Sequence, residues 1–157
     1  MPKILPTEAP VATGTRYPAP HDVPCRTRVR HRLGDAAGLH QFGANLLRLP
    51  PGAWSSQRHW HEGEDEFVWI LEGEVVLVTD AGEELLRGGD CAGFPAGRPD
   101  GHHFQNRSGH DALLLEIGTR ARGGDAVHYP DIDLFLPAGG GGYAHRDGRP
   151  YGPGNKG

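Results

Sequence analysis

Two histidines one residue apart, His59-Trp60-His61, followed by Glu66 and Gly73, constrain this chain more than any other feature. Side chains alternate faces along a β-strand, so both imidazoles look the same way while Trp60 looks the opposite way. Glu66 is separated from His61 by four residues, enough to turn a corner and return on the next strand. Another histidine follows in Gly101-His102-His103-Phe104-Gln105-Asn106. A paired set of imidazoles, a carboxylate and a distant imidazole form a metal-site constellation. The simplest scaffold that brings them together is a β-barrel.

The rest of the chain fits that scaffold. Short β-prone runs recur between turn signals: Phe42 to Leu49 before Pro50-Pro51-Gly52, then Gln57 to His61, Glu66 to Leu71 and Val75 to Thr79. Asp80-Ala81-Gly82-Glu83 reads as a hairpin turn. Glu84 to Arg87, Asp90 to Phe94, His102 to Asn106 and Ala112 to Thr119 complete a series of eight or more short strands. That spacing predicts an all-β sandwich or barrel. Usage of 25 Gly and 14 Pro in 157 residues favours tight turns over long helices, and the length suits one domain. Residues 1–24 hold six prolines and read as an extended arm. The barrel is expected over 25–136, including a docked segment at Val127 to Leu136. A glycine-rich flexible tail is expected over 137–157.

Charge and cysteine content exclude some functions. A formal net charge of −4 argues against a nucleic-acid partner, whose binding would rest on phosphate neutralisation. The one dense basic run, Arg26 to Arg32, reads as a solvated strand face, with an anion-binding or inter-subunit strip as the alternative. Cys25 and Cys91 are too few for a disulfide framework, so a cytoplasmic protein is expected, with Cys91 a buried thiol. No run of eighteen apolar residues and no signal pattern occurs, so no membrane association is expected. Neither Ser55 nor Ser56 sits in a Gly-x-Ser-x-Gly elbow, and no phosphate-binding loop is present. The isolated histidines His21, His31, His40, His110, His128 and His145 read as surface or core filler.

These residues resemble the two motifs of the cupin superfamily. The first runs Gly52, six intervening residues, His59-x-His61, four residues, Glu66, six residues, Gly73; the family commonly has one residue fewer before the first histidine. The second runs Gly89, Pro95, Gly97, then His102 and Asn106, with four residues rather than two between Gly97 and His102. The extra residue suggests a β-bulge, and Arg98-Pro99-Asp100-Gly101 reads as an insertion at the mouth of the pocket. The long flanking segments are similar to stand-alone bacterial single-domain cupins, a group often called sugar-phosphate isomerases without a demonstrated substrate. The resemblance implies a double-stranded β-helix, or jelly-roll barrel, with one metal inside. By position, His59, His61, Glu66 and His102 map onto the metal ligands. His103 competes for the last place, and the spacing to Asn106 favours His102.

Three imidazoles and a carboxylate suit a divalent first-row ion: Fe, Mn, Ni, Co, Cu or Zn. The expected activity is metal-dependent chemistry, isomerase-like or dioxygenase-like, on a small polar organic substrate that binds through two oxygens. Glu66 is the catalytic candidate, as ligand or general base. A non-catalytic, metal-assisted small-molecule binding protein is the alternative. Regular alternation would put Gln57, Val68 and Ile70 on the ligand face as substrate contacts. It would turn Phe67, Trp69 and Leu71 outward, where a second copy of the chain could cover them, so a homodimer is expected.

Overall fold

A computed structural model describes residues 3–152. Its strands are β1 (Val11–Thr13), β2 (Val29–His31), β3 (Phe42–Leu49), β4 (Trp60–His61), β5 (Glu66–Glu72) and β6 (Glu74–Thr79). They continue with β7 (Gly82–Arg87), β8 (Cys91–Phe94), β9 (His103–Gln105), β10 (Ala112–Thr119), β11 (Val127–Tyr129) and β12 (Leu134–Leu136). The only α-helix among the described residues is the single turn Leu33–Ala36. No described helix is long and apolar enough to cross a membrane.

One face of the sandwich is a six-stranded antiparallel sheet, in the order β1-β2-β3-β10-β5-β8. The other consists of two three-stranded pieces, β7-β6-β9 and β12-β11-β4. A single antiparallel bridge between His59 and His102 joins those pieces, so the two histidines occupy the seam of the second sheet. This is the all-β sandwich that the strand spacing predicts, in the jelly-roll form that the cupin resemblance implies.

Alternation along β5 decides what lies inside. Val68 and Ile70 turn into the sandwich, where they meet Leu47, Leu49, Leu77, Phe104 and Leu114. Phe67, Trp69 and Leu71 turn outward and are 38%, 45% and 39% exposed. The β5–β6 junction turns on Gly73 at φ +79°; a Cβ there would stand 2.8 Å from the Asp111 carbonyl oxygen, so only glycine fits. β6 and β7 form the hairpin over Asp80-Ala81, as expected.

Before β4 the chain departs from regular pairing. Trp54 is bridged to Gln105 and His59 to His102, so residues 55–58 lie opposite only 103 and 104. The expected bulge is therefore wider than one residue. It places the side chain of Gln57 away from the ligand face, and the regular strand expected from Gln57 to His61 shrinks to Trp60–His61.

The ends of the chain differ from the sequence reading as well. Val11–Thr13 of the expected arm pairs with β2 as the sheet's edge strand. Tyr17 enters a second apolar cluster with Cys25, Val127, Tyr129 and Leu134. A proline-rich composition resists helix formation, yet it left Tyr17 free to supply a large apolar ring to that cluster. At the other end, Tyr143 packs on the same cluster and Ala144 bridges Phe135, so the expected flexible tail is anchored there. Residues 153–157 of that tail lie outside the described residues. Cys91, expected to be buried, is exposed on β8 at the sheet's edge; Cys25 is the fully buried thiol.

Candidate metal centre

The seam bridge fixes two of the imidazoles. His59 N–H donates to the His102 carbonyl at 3.1 Å and His102 N–H returns the bond at 2.8 Å. Directly opposite residues of such a pair put their side chains on one face. The two rings accordingly lie 4.9 Å apart, and the His61 ring, two residues along, is also 4.9 Å from His59. Glu66 opens β5 on the facing sheet and reaches across. Its Oε2 lies 2.9 Å from His102 Nε2, 3.3 Å from His61 Nε2 and 3.5 Å from His59 Nε2. The structure thus brings all four sequence-derived ligand candidates around one carboxylate oxygen. His59, His61 and Glu66 hold their donor atoms within 4.8 Å of one another.

Bonds behind the rings orient them. His59 Nδ1 lies 2.9 Å from the Gln57 carbonyl, to which it can only donate, leaving Nε2 as a lone pair aimed at Glu66. His61 Nδ1 lies 2.5 Å from Asp125 Oδ2, and Asp125 in turn accepts the Gly63 N–H at 2.6 Å. The Asp125 side chain is only 7% exposed. This carboxylate–histidine pair is the support that metal-binding imidazoles use to fix their tautomer and raise their basicity. His102 is held differently: its ring stacks flat on Phe94, with centroids 3.5 Å apart.

Electrostatics in the cluster favour positive charge among the rings. Burial alone would raise Glu66, but the close approach of the His102, His59 and His61 rings outweighs it and holds its carboxyl well below the usual range. Burial opposes the charged form of His61, yet Glu66 and Asp125 together lift it to about 9. Burial keeps His102 below the ordinary imidazole value despite Glu66. His61 Nε2 is buried without a hydrogen-bond partner among the described residues. Lone pairs gathered around a carboxylate oxygen repel one another unless a positive charge sits among them. A proton can meet that need for one pair only; a divalent first-row ion meets it for the whole mixed N/O set. The residues therefore fit a metal.

Two cavities meet at this point. A cleft of about 750 Å³ opens on one side, lined by Tyr17, Arg28, Arg30, Val68 and Tyr129 among others. A smaller cavity of about 210 Å³ opens on another, lined by Trp60, Leu77, Phe94, Arg98 and Asp100. His61, Glu66 and His102 line both. The Arg98-to-Gly101 insertion borders the smaller cavity, and Arg58 ties it down through the Gly101 carbonyl at 3.2 Å.

Of the expected substrate contacts, Val68 lines the large cleft. Ile70 does not; it is fully buried in the core. Gln57 does not either, because the wide bulge lets its amide donate to the His21 carbonyl at 2.6 Å. His103 points away from Glu66: its Nδ1 meets the Ser56 carbonyl at 3.0 Å and its ring packs on Trp54. Asp125 escapes sequence reasoning, since a lone acid after Gly123-Gly124 carries no periodicity and no motif. The solvated strand face expected of the basic run does not hold for Arg28 and Arg30, which line the cleft. Another group, His61 with Glu64 and Asp125, also brings its donor atoms within 4.8 Å of one another.

Comparison with known proteins agrees with this geometry. The cupin domain family profile matches residues 45–118. No curated protein matches the chain. Among solved structures, a sugar phosphate isomerase of the cupin superfamily from Silicibacter pomeroyi shares 44% identity over 96% of each chain, with a TM-score of 0.89. A candidate sugar phosphate isomerase from Acidithiobacillus ferrooxidans shares 32% identity over 75% of this chain and 74% of its own, with a TM-score of 0.70. A polyketide cyclase from Streptomyces resistomycificus, at 23% identity and a TM-score of 0.62, shares the fold. With the same barrel traced end to end in a relative this similar, the chain belongs to the cupin superfamily.

Proposed function

We propose that this protein is a metal-dependent enzyme acting on a small polar organic molecule, through isomerase-like or oxygenase-like chemistry at one divalent first-row ion. His59, His61, Glu66 and His102 would hold the ion. The observation that carries the reading is the convergence of three imidazole Nε2 atoms on Glu66 Oε2, two of them backed by fixed acceptors, at the floor of an open cleft. Both similar structures named above as sugar phosphate isomerases favour the isomerase side. When bound, the metal supplies Lewis-acid polarisation of a substrate oxygen.

The chain's own groups do the rest. Val68 and Tyr129 give the cleft apolar surface beside the imidazoles. Glu66 lines both cavities; released from the ion, it would take a proton from a carbon next to a carbonyl. Asp125 holds His61 in one orientation throughout. A metal-assisted binding protein without turnover is the second reading, favoured because both carboxylates at the imidazoles are already engaged, Glu66 by three Nε2 atoms and Asp125 by His61 Nδ1. The deciding experiment supplies metal-loaded protein with aldose and ketose phosphates and follows both interconversion and O₂ uptake. Interconversion without O₂ uptake supports the isomerase. Substrate binding with neither supports the binding protein.

We also propose a homodimer. The outward faces of β3, β10 and β5 combine Leu46, Leu113, Leu115 and Ile117 with the exposed Phe67, Trp69 and Leu71. So broad an apolar sheet face suits a self-complementary contact between two copies.

A further inference from the structure

Besides the imidazoles and Glu66, the large cleft is lined by a cation in an unusual state. Arg28 lines the cleft and is only 8% exposed. Its guanidinium bonds to two backbone carbonyls, Gly14 at 2.9 Å and Ser55. Among the described residues no carboxylate bonds to it, so its charge is buried without a counter-ion. Buried charges are ordinarily paired, because leaving water without a partner is costly. Arg16 lines the same cleft with no ion-pair partner among the described residues. The other charges there are already engaged. Arg30 is bound by both Glu116 oxygens, at 2.7 and 2.9 Å, Asp22 is bound by Arg26 at 2.8 Å, and Arg32 has Asp35 at 3.9 Å. Glu66 is surrounded by the imidazoles.

From this we infer that the cleft carries a dedicated oxyanion subsite, formed by Arg28 and Arg16 with the hydroxyls of Tyr17 and Tyr143, which takes the phosphate monoester end of the substrate. The inference rests on the proposed function for the other end of the molecule, the polar oxygens held at the imidazoles. Geometry links the two ends. Arg28 grips the carbonyl of Ser55, whose hydroxyl is 3.4 Å from that of Ser56, and Ser56 Oγ lies 3.2 Å from His59 Nδ1. Tyr17 bridges on the other side, with its ring 5.6 Å from Tyr129, which stacks on His59. A planar guanidinium presents forked donors that match phosphate oxygens, and two unpaired cations suit a dianion better than a single carboxylate. Tyr17 and Tyr143 line the cleft with their hydroxyls grouped around that of Tyr129, and burial pushes both upward, so they stay protonated at neutral pH.

Inorganic phosphate is the probe. It is titrated by calorimetry, at constant ionic strength, into metal-loaded and chelator-treated protein, with acetate in parallel. The chelator-treated protein should bind one phosphate per chain and acetate more weakly. Arg16→Ala should weaken phosphate about tenfold, the loss of one charge-assisted hydrogen bond. Arg28→Lys should weaken it too while keeping the charge that the buried position tolerates. Arg98→Ala, in the smaller cavity, should leave it unchanged. Phosphate binding only when metal is present, or equal in parent, Arg16→Ala and Arg28→Lys, would overturn the subsite. Equal or tighter acetate binding would make the ligand a carboxylate and overturn the phosphate assignment. Metal content of the same samples is read separately. Protein that binds phosphate at these arginines but takes up no metal would instead overturn the proposed centre and leave the subsite standing.

Discussion

Asp125 Oδ2 lies 2.5 Å from Nδ1 of His61, and the far nitrogen of the same ring lies 3.3 Å from Glu66 Oε2. One imidazole is thus clamped between two carboxylates drawn from distant parts of the chain. The arrangement makes Asp125 a positioning residue for the proposed centre. Asp125→Asn should keep the fold but lower metal affinity by about 10- to 100-fold, the usual effect of losing such a support. Competition with a chromophoric chelator measures it. Affinity unchanged in the variant would detach Asp125 from the centre.

His102 and His103 offer a matched pair. His102→Gln should abolish high-affinity metal binding, because its Nε2 is 2.9 Å from Glu66. His103→Gln should leave metal content unaltered, since its ring is engaged by Ser56 and Trp54. Elemental analysis of both variants after gel filtration separates the roles. The reverse outcome would move the third imidazole to His103.

The thiols should separate with pH. Cys25 is fully buried, and desolvation pushes it up from 9.0 to about 11; Cys91 is exposed. The thiolate is the reactive form, so a disulfide reagent at pH 8 should label Cys91 promptly and Cys25 only on unfolding. A thiol raised on folding binds its proton more tightly in the native state. Its contribution to stability is full below pH 9 and is lost as pH rises through about 11. Denaturant midpoints of the parent and Cys25→Ala measured across that range check the sign: the decline should be shallower in the variant.

Ile70 belongs to the core rather than to the substrate. Ile70→Ala should cost about 2–5 kcal/mol of stability through the cavity it leaves. Urea unfolding reads the loss, and a stability change below about 1 kcal/mol would return Ile70 to the cleft wall.

Trp69→Glu tests the proposed dimer. Trp69 stands 45% exposed at the centre of the outer apolar strip. The parent should elute at twice the chain mass by light scattering and the variant at the chain mass. Equal masses would leave the strip without that role.

The sequence made the barrel legible because its signals are local. Gly73 must take a positive φ at a tight turn, and alternation over Glu66 to Leu71 assigns an inner and an outer face without reference to anything distant. His59 and His61 belong to the same class of signal, and motif spacing was enough to favour His102. What stayed hidden depends on irregular backbone or on distant pairing. Gln57 falls where four residues face two, and period-two reasoning fails inside a bulge. Asp125 meets His61 only because β11 pairs with β4. Tyr17 and Arg28 reach the cleft because the proline-rich start folds back as a sheet edge, and composition alone cannot show that.

The centre itself is tested most directly by anomalous X-ray diffraction from crystals of the protein grown with a first-row divalent ion. One strong anomalous peak is predicted within about 2.0–2.3 Å of the Nε2 atoms of His59, His61 and His102 and of a Glu66 oxygen. A peak held instead by His61, Glu64 and Asp125, or none near these residues in metal-saturated crystals, would contradict the account.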